Sequence, residues 1–322
     1  MIIRAVTLLR AAAISSLTFT GLPTGFVDHE AAWAQTPVSP YGQDDRLGAA
    51  NLLSPEHVRK AAATIKRGKV YALGAIVDEN SPLGETRPFK VVVVQPGAGA
   101  AHGMAANRLS VLDDVVIASQ GVGTKLNGLA HVGIDGVFYN GLRAEDFIWH
   151  SGLKALGVES IPPIVGRGVL LDIAAYRNVT TLPRDFAIDA ATLQAAAHRQ
   201  KLTMMRGDIV LLNTGWMDAR PKSRSRAMDA PGLTLDGARW LIEQGIVAVG
   251  ADTDAVEIWP AQVDGEISPV HQELMTRHGV YMIHNVVTRE LAADRAYSFL
   301  FVLGQPRLKG ATQAIVNPIA IR

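Results

Sequence analysis

Residues 121–133 read Gly121-Val122-Gly123-Thr124-Lys125-Leu126-Asn127-Gly128-Leu129-Ala130-His131-Val132-Gly133, and Val137-Phe138-Tyr139-Asn140-Gly141 follows shortly after. On an extended segment alternate side chains point the same way, so Lys125 and Asn127 share one face and Leu126 takes the other. Polar groups two residues apart on such a segment can converge on a common point. Two further stretches carry comparable combinations. One is Gly166-Arg167-Gly168-Val169-Leu170-Leu171-Asp172, with Gly207-Asp208-Ile209-Val210-Leu211-Leu212-Asn213-Thr214-Gly215-Trp216 after it. The other is Gly250-Ala251-Asp252-Thr253-Asp254-Ala255-Val256-Glu257, with Ser268-Pro269-Val270-His271 after it.

Outward from these stretches, β-branched runs bounded by Gly, Pro or Asp predict strands at 91–94, 115–118, 168–173, 208–212, 246–250 and 299–303, several buried on both faces. Ser54-Pro55-Glu56 places a cap and then proline at the first helical position, predicting a helix over 57–65. Residues 190–200 and 238–244 also read as helices. The mixture is α/β, with no linker or internal repeat to divide it. The basic cluster Lys60, Lys66, Arg67 and Lys69 reads as a solvated helix face.

Composition excludes several function classes. The 322 residues carry Lys+Arg 31 against Asp+Glu 30, a net charge of +1, so no basic excess speaks for nucleic acid, and 48% hydrophobic residues speak against disorder. With no cysteine, any metal must be held by His, Asp, Glu or Asn. Residues 1–34 read as a secretory signal: Arg4 and Arg10, an apolar stretch at 11–22 too short to span a bilayer, and Ala32-Trp33-Ala34 as the cleavage pattern. The expectation is an exported protein, periplasmic or secreted, with no membrane span, whose single domain covers 35–322.

These stretches, in this order, together with Leu47-Gly48-Ala49-Ala50-Asn51-Leu52-Leu53-Ser54-Pro55-Glu56 and the closing Leu308-Lys309-Gly310-Ala311-Thr312 and Asn317-Pro318-Ile319-Ala320-Ile321, resemble the cyclase family, whose members include kynurenine formamidase and isatin hydrolase. The resemblance runs from about Asp45 to Arg322. It implies a swivelling β/β/α fold, a mixed sheet with flanking helices, and hydrolysis of an amide by metal-bound water. Homo-oligomers acting on a small-molecule substrate are also implied.

The family signature is His-x-Gly-Thr-His-x-Asp-x-x-x-His, its first two His and its Asp being ligands and its last His the acid/base. Here Gly121 stands at the first ligand position, Lys125 at the second and Asn127 at the Asp, while Gly123, Thr124 and His131 keep the pattern. An ammonium has no lone pair and an amide oxygen is a weak neutral ligand. Exchanging His for Lys and Asp for Asn shifts the pocket by about +2, the charge of one divalent ion. Two outcomes stay open: one zinc or manganese ion held by His271, His284 and Asn127, or a metal-free site in which Lys125 replaces the cation.

The resemblance makes His131, Lys125 and Glu257 the catalytic candidates, and Thr124, Asn127 and Asn140 the candidate substrate contacts. Structural alternatives stand beside them: His131 as a core histidine, and Lys125 as an ion-pair partner of Glu257 or Asp252. Phe138, Tyr139 and Trp149 either wall an aryl-sized pocket or pack in the core, and His102 is a candidate on a loop. The function expected is an arylformamidase-like hydrolase of a small or cyclic amide, such as N-formylkynurenine in tryptophan catabolism. The alternative is a metal-free pseudoenzyme or small-ligand binding protein on the same fold.

Overall fold

Ser54 is extended and its hydroxyl accepts from the His57 amide, so helix α1 (Pro55–Ala62) starts where the cap and proline demand. It stops short of residue 65 because Thr64 Oγ1 takes the Ala61 carbonyl at 2.6 Å. Asp189 caps α2 (Ala190–Arg199) and Thr234 caps α3 (Leu235–Glu243), each by accepting from the amide three residues on. This computed structural model describes residues 36–78, 81, 87–94, 105–219, 229–263 and 265–322. The expected signal at 1–34 and His102 lie outside the described residues.

In chain order the strands are β1 (Val70–Ala72), β2 (Phe89–Val94), β3 (Asp113–Ala118), β4 (Lys125–Asn127), β5 (Ile148–Trp149), β6 (Gly152–Leu153), β7 (Ile164–Asp172) and β8 (Ala187–Ile188). There follow β9 (Ile209–Asn213), β10 (Gly232–Leu233), β11 (Ala248–Ala251), β12 (Tyr281–His284), β13 (Ser298–Leu303), β14 (Gln313–Ile315) and β15 (Ile319–Ile321). Nine of them form one mixed sheet in the order β1-β15-β13-β7-β9-β11-β12-β4-β14. Its centre, β7 to β12, is parallel, and both flanks are antiparallel.

The parallel strands sit where the sequence has continuous aliphatic runs: Val169 to Leu171, Ile209 to Leu212 and Ala248 to Val249 are buried on both faces. Gly168 is required there, since a Cβ would meet the Phe299 ring at 2.0 Å. Helix α1 lies over β7 and β13, while α2 and α3 pack on each other. The α/β class and the mixed sheet with flanking helices therefore agree with expectation.

The runs at 91–94 and 115–118 are strands too, but they pair with each other outside the main sheet. Their aliphatic side chains, Val91 to Val94 and Val115 to Ile117, stand exposed instead of entering the core. Phe138 packs edge-on against Phe147 and Tyr139 is buried, so these two rings belong to the core, whereas Trp149 is exposed. No helix among the described residues is long and apolar enough to cross a membrane.

Candidate functional site

Strand β4 runs antiparallel to β12 with Lys125 opposite His284 and Asn127 opposite Met282. Directly opposed residues share a face, so Lys125, Asn127 and His284 come together while Leu126 enters the core from the other side. The Asn127 amide crosses diagonally to His284, with Nδ2 and Nε2 2.8 Å apart. On the far side of the ring, Nδ1 lies 2.6 Å from the Asp254 carbonyl, in the loop that leaves β11. Burial holds the His284 imidazole neutral, its pKa well below the ordinary value, with Lys125 and His271 acting in the same direction. A carbonyl only accepts, so Nδ1 carries the hydrogen and the Nε2 lone pair accepts from the Asn127 amide. Asn127 Oδ1 is then left buried with no hydrogen-bond partner.

His271 closes the short turn Pro269–His271, and its ring centroid is 5.3 Å from that of His284. Its Nδ1 contacts Glu257 Oε1, and Glu257 Oε2 accepts from the Val270 amide at 3.0 Å. Both side chains are buried. The carboxylate fixes the hydrogen on Nδ1 and leaves Nε2 as a base, the polarity of a histidine–carboxylate dyad. Gly232 lets this strand of chain approach, since a Cβ there would meet the Glu257 backbone at 2.2 Å. Three non-glycine residues flanking the dyad and His284 hold left-handed backbone: Val256 (φ 64), Ser268 (φ 54) and Asn285 (φ 54). Such strain in a β-branched residue persists where surrounding packing enforces it, and it clusters at sites.

Lys125 is almost wholly buried, and desolvation lowers its ammonium pKa from 10.5 to about 7, with the Arg87 guanidinium pushing the same way and Asp254 opposing. Burial, Lys125, His271 and Arg87 together drive His131 down to about 3, so its ring is neutral near pH 7. Arg87 was not among the sequence candidates. It donates through Nη1 to the Gly121 carbonyl at 3.0 Å. Only its position opposite Gly121, 34 residues away, reveals it, and nothing in the local sequence around Arg87 carries that signal.

A family model described as "Putative cyclase" matches residues 72–258, more than half of the chain. The chain belongs to the cyclase family. Among solved structures it is similar to a novel cyclase at 29% identity and TM-score 0.78, covering 88% of this chain and 96% of that one. It is also similar in fold to isatin hydrolase A from Ralstonia solanacearum (19% identity, TM-score 0.60, 84% and 98% covered). A predicted metal-dependent hydrolase from Bacillus stearothermophilus shares the fold at 18% identity and TM-score 0.52, with 78% and 97% covered. No curated protein matches the sequence.

The donor set at the cyclase metal position does not fit a divalent ion. Gly121 offers no side chain and Lys125 no lone pair while protonated. Asn127 turns its NH2, not its oxygen, toward His284, and the His284 lone pair is already engaged. Among the described residues no group of three or more His, Cys, Asp or Glu is arranged to hold a metal. Of the expected His271, His284 and Asn127 ligand set, the His284 Nε2 lone pair is taken up by the Asn127 amide, whereas His271 is held by Glu257 through Nδ1 and keeps its Nε2 lone pair.

Two expected substrate contacts make hydrogen bonds within the chain. Thr124 Oγ1 donates to the Asn285 carbonyl at 2.5 Å and accepts from the Ala75 amide at 2.8 Å, tying β4 to its neighbours. Asn140 spends its side chain on Ser39 N and on the carbonyls of Gly42, Gln43 and Asp45, which pins the loop before residue 46. Asp252 is turned away as well, accepting from Thr214 N and Oγ1 at 2.9 and 2.6 Å. Hence neither Glu257 nor Asp252 is the partner of Lys125; the carboxylate that attracts it is Asp254. A cleft of about 410 Å³ reaches Asp252 from beside Thr180 and Arg289, and none of Lys125, His131, His271 or His284 lines it.

Proposed function

We propose that this protein hydrolyses a small amide or cyclic amide, of the aryl formamide or isatin type, with side-chain cations in place of a metal ion. The observation that carries the reading is the buried His271–Glu257 dyad beside a buried Lys125. His271 Nε2 accepts a proton from water as the water oxygen attacks the carbonyl carbon, and Glu257 stabilises the imidazolium. The developing oxyanion is stabilised by the Lys125 ammonium, worth more in a buried site than in water. The imidazolium then protonates the departing nitrogen, leaving a carboxylate and an amine. His131, neutral with a pKa near 3, serves as a hydrogen-bonding group more readily than as the proton carrier that the family signature implies.

The test is turnover of N-formylkynurenine and isatin by protein freed of metal, then with added manganese or zinc. Metal-free turnover that falls by about 10²-fold or more in His271→Ala supports the proposal. The engaged His284 lone pair favours a second reading, a binding protein that retains the fold without turnover. No turnover of any amide, with or without metal, would establish that reading instead.

A further inference from the structure

A Cβ built on Gly121 would meet Nη1, Cζ and Nε of Arg87 at 3.0 to 3.2 Å. The guanidinium thus fills the space a histidine side chain at 121 would enter, and glycine is what admits it. Where the cyclase signature has two imidazole ligands, this chain has two cations, one half-buried and one buried. They are mutually repulsive: Arg87 depresses the Lys125 ammonium, and both depress His131. Among the described residues Arg87 makes no ion pair, and Asp254 is the carboxylate that attracts Lys125. The His271–Glu257 pair is engaged internally. Two residues beyond Lys125 on the same strand, Asn127 is buried with its Oδ1 unpartnered.

We propose that Arg87 and Lys125 form a carboxylate-binding pair, and that the ligand of this site is a small monocarboxylate with a hydrogen-bond donor within reach of Asn127 Oδ1. A guanidinium fork matches the two oxygens of a carboxylate, and the ammonium adds a point charge beside it. Both cations attract a carboxylate, and neither attracts a neutral amide to the same degree. The inference deepens the hydrolase reading by naming its ligand class. The carboxylate is either carried by the substrate away from the scissile bond or formed from the reacting carbonyl.

Calorimetric titration of the metal-free protein with benzoate, 2-aminobenzoate and benzamide at pH 6 tests it without turnover. Both carboxylates are expected to bind at least about tenfold more tightly than benzamide, 2-aminobenzoate more tightly than benzoate. Arg87→Gln should weaken both carboxylates about tenfold or more while Arg87→Lys restores part of the affinity, and raised salt should weaken both. Arg87 is half-buried, and circular dichroism of Arg87→Gln establishes that the fold is kept. Benzamide binding as tightly as benzoate, or unchanged carboxylate affinity in folded Arg87→Gln, overturns the proposal. Comparing formanilide with 2-formamidobenzoate separates the two sources: a KM raised by Arg87→Gln only for the latter assigns the pair to a carboxylate carried by the substrate, and a kcat loss for both assigns it to the reacting carbonyl. Carboxylate binding without turnover of either leaves the ligand class standing and removes the hydrolase reading. Turnover without carboxylate binding does the reverse.

Discussion

Replacing Lys125 by methionine keeps the length of the buried side chain and removes its charge. The ammonium's fall from 10.5 to about 7 corresponds, at about 1.4 kcal/mol per tenfold change in proton affinity, to about 5 kcal/mol lost when the folded chain must hold the proton. The unfolded chain keeps that proton up to pH 10.5 and the folded chain only to about 7. Between those values the unfolded state binds more protons, so the stability of the wild type rises with pH through the window; below it the whole cost is present. The fall to about 7 already includes the opposing attraction to Asp254, so removing the charge removes the net cost. Lys125→Met is therefore expected to be more stable than wild type by about 5 kcal/mol at pH 6, with the advantage falling to about 1 kcal/mol at pH 10. Urea denaturation at pH 6, 8 and 10 measures it, provided the m-value is unchanged. A stability difference that does not vary with pH, or a variant less stable at pH 6 than at pH 10 relative to wild type, would refute the reasoning.

Glu257→Gln keeps an acceptor for the Val270 amide but removes the charge that holds His271 in its tautomer. A kcat loss of about 10²- to 10⁴-fold on amide substrates is expected, and activity within twofold of wild type would count against the dyad. Wild-type protein dialysed against zinc should retain well under about one equivalent by elemental analysis. The combined Arg87→Ala, Gly121→His, Lys125→His and Asn127→Asp protein should retain about one, since it restores three ligand positions and clears the space at 121. Asn140→Ala removes four hydrogen bonds to the 39–45 loop. A stability loss of about 1–3 kcal/mol with kcat and KM intact is expected by thermal unfolding and steady-state kinetics; a raised KM would return Asn140 to the substrate site.

The fold was legible because its signals are local or ordered. The cap at Ser54 and the aliphatic runs of β7, β9 and β11 announce their elements within a few residues, whereas the helix expected at 238–244 starts earlier, at Leu235, after the Thr234 cap. The candidate site was legible only in part. Lys125, Asn127, His271, His284 and Glu257 were all nameable from the chain, but their pairing depends on strands that are distant in sequence. His284 meets Asn127 because β12 and β4 are neighbours in the sheet, 157 residues apart in sequence. Thr124 and Asn140 were placed in the site by their neighbours in sequence, yet their polar atoms face backbone groups elsewhere.

The amino-acid sequence by itself determined the first helix, the central aliphatic strands, the family resemblance and the loss of three ligand side chains, because each is a property of residue type and order. Only the tertiary structure decided what replaced them. Glycine at 121 reads as a deletion of a ligand until Arg87 is seen lying against it. The fate of a charge depends on burial and on neighbours brought from far along the chain. Chain folding is what lowers Lys125 to about 7, closes His284 on Asn127 and sets two cations where the family signature has imidazole ligands.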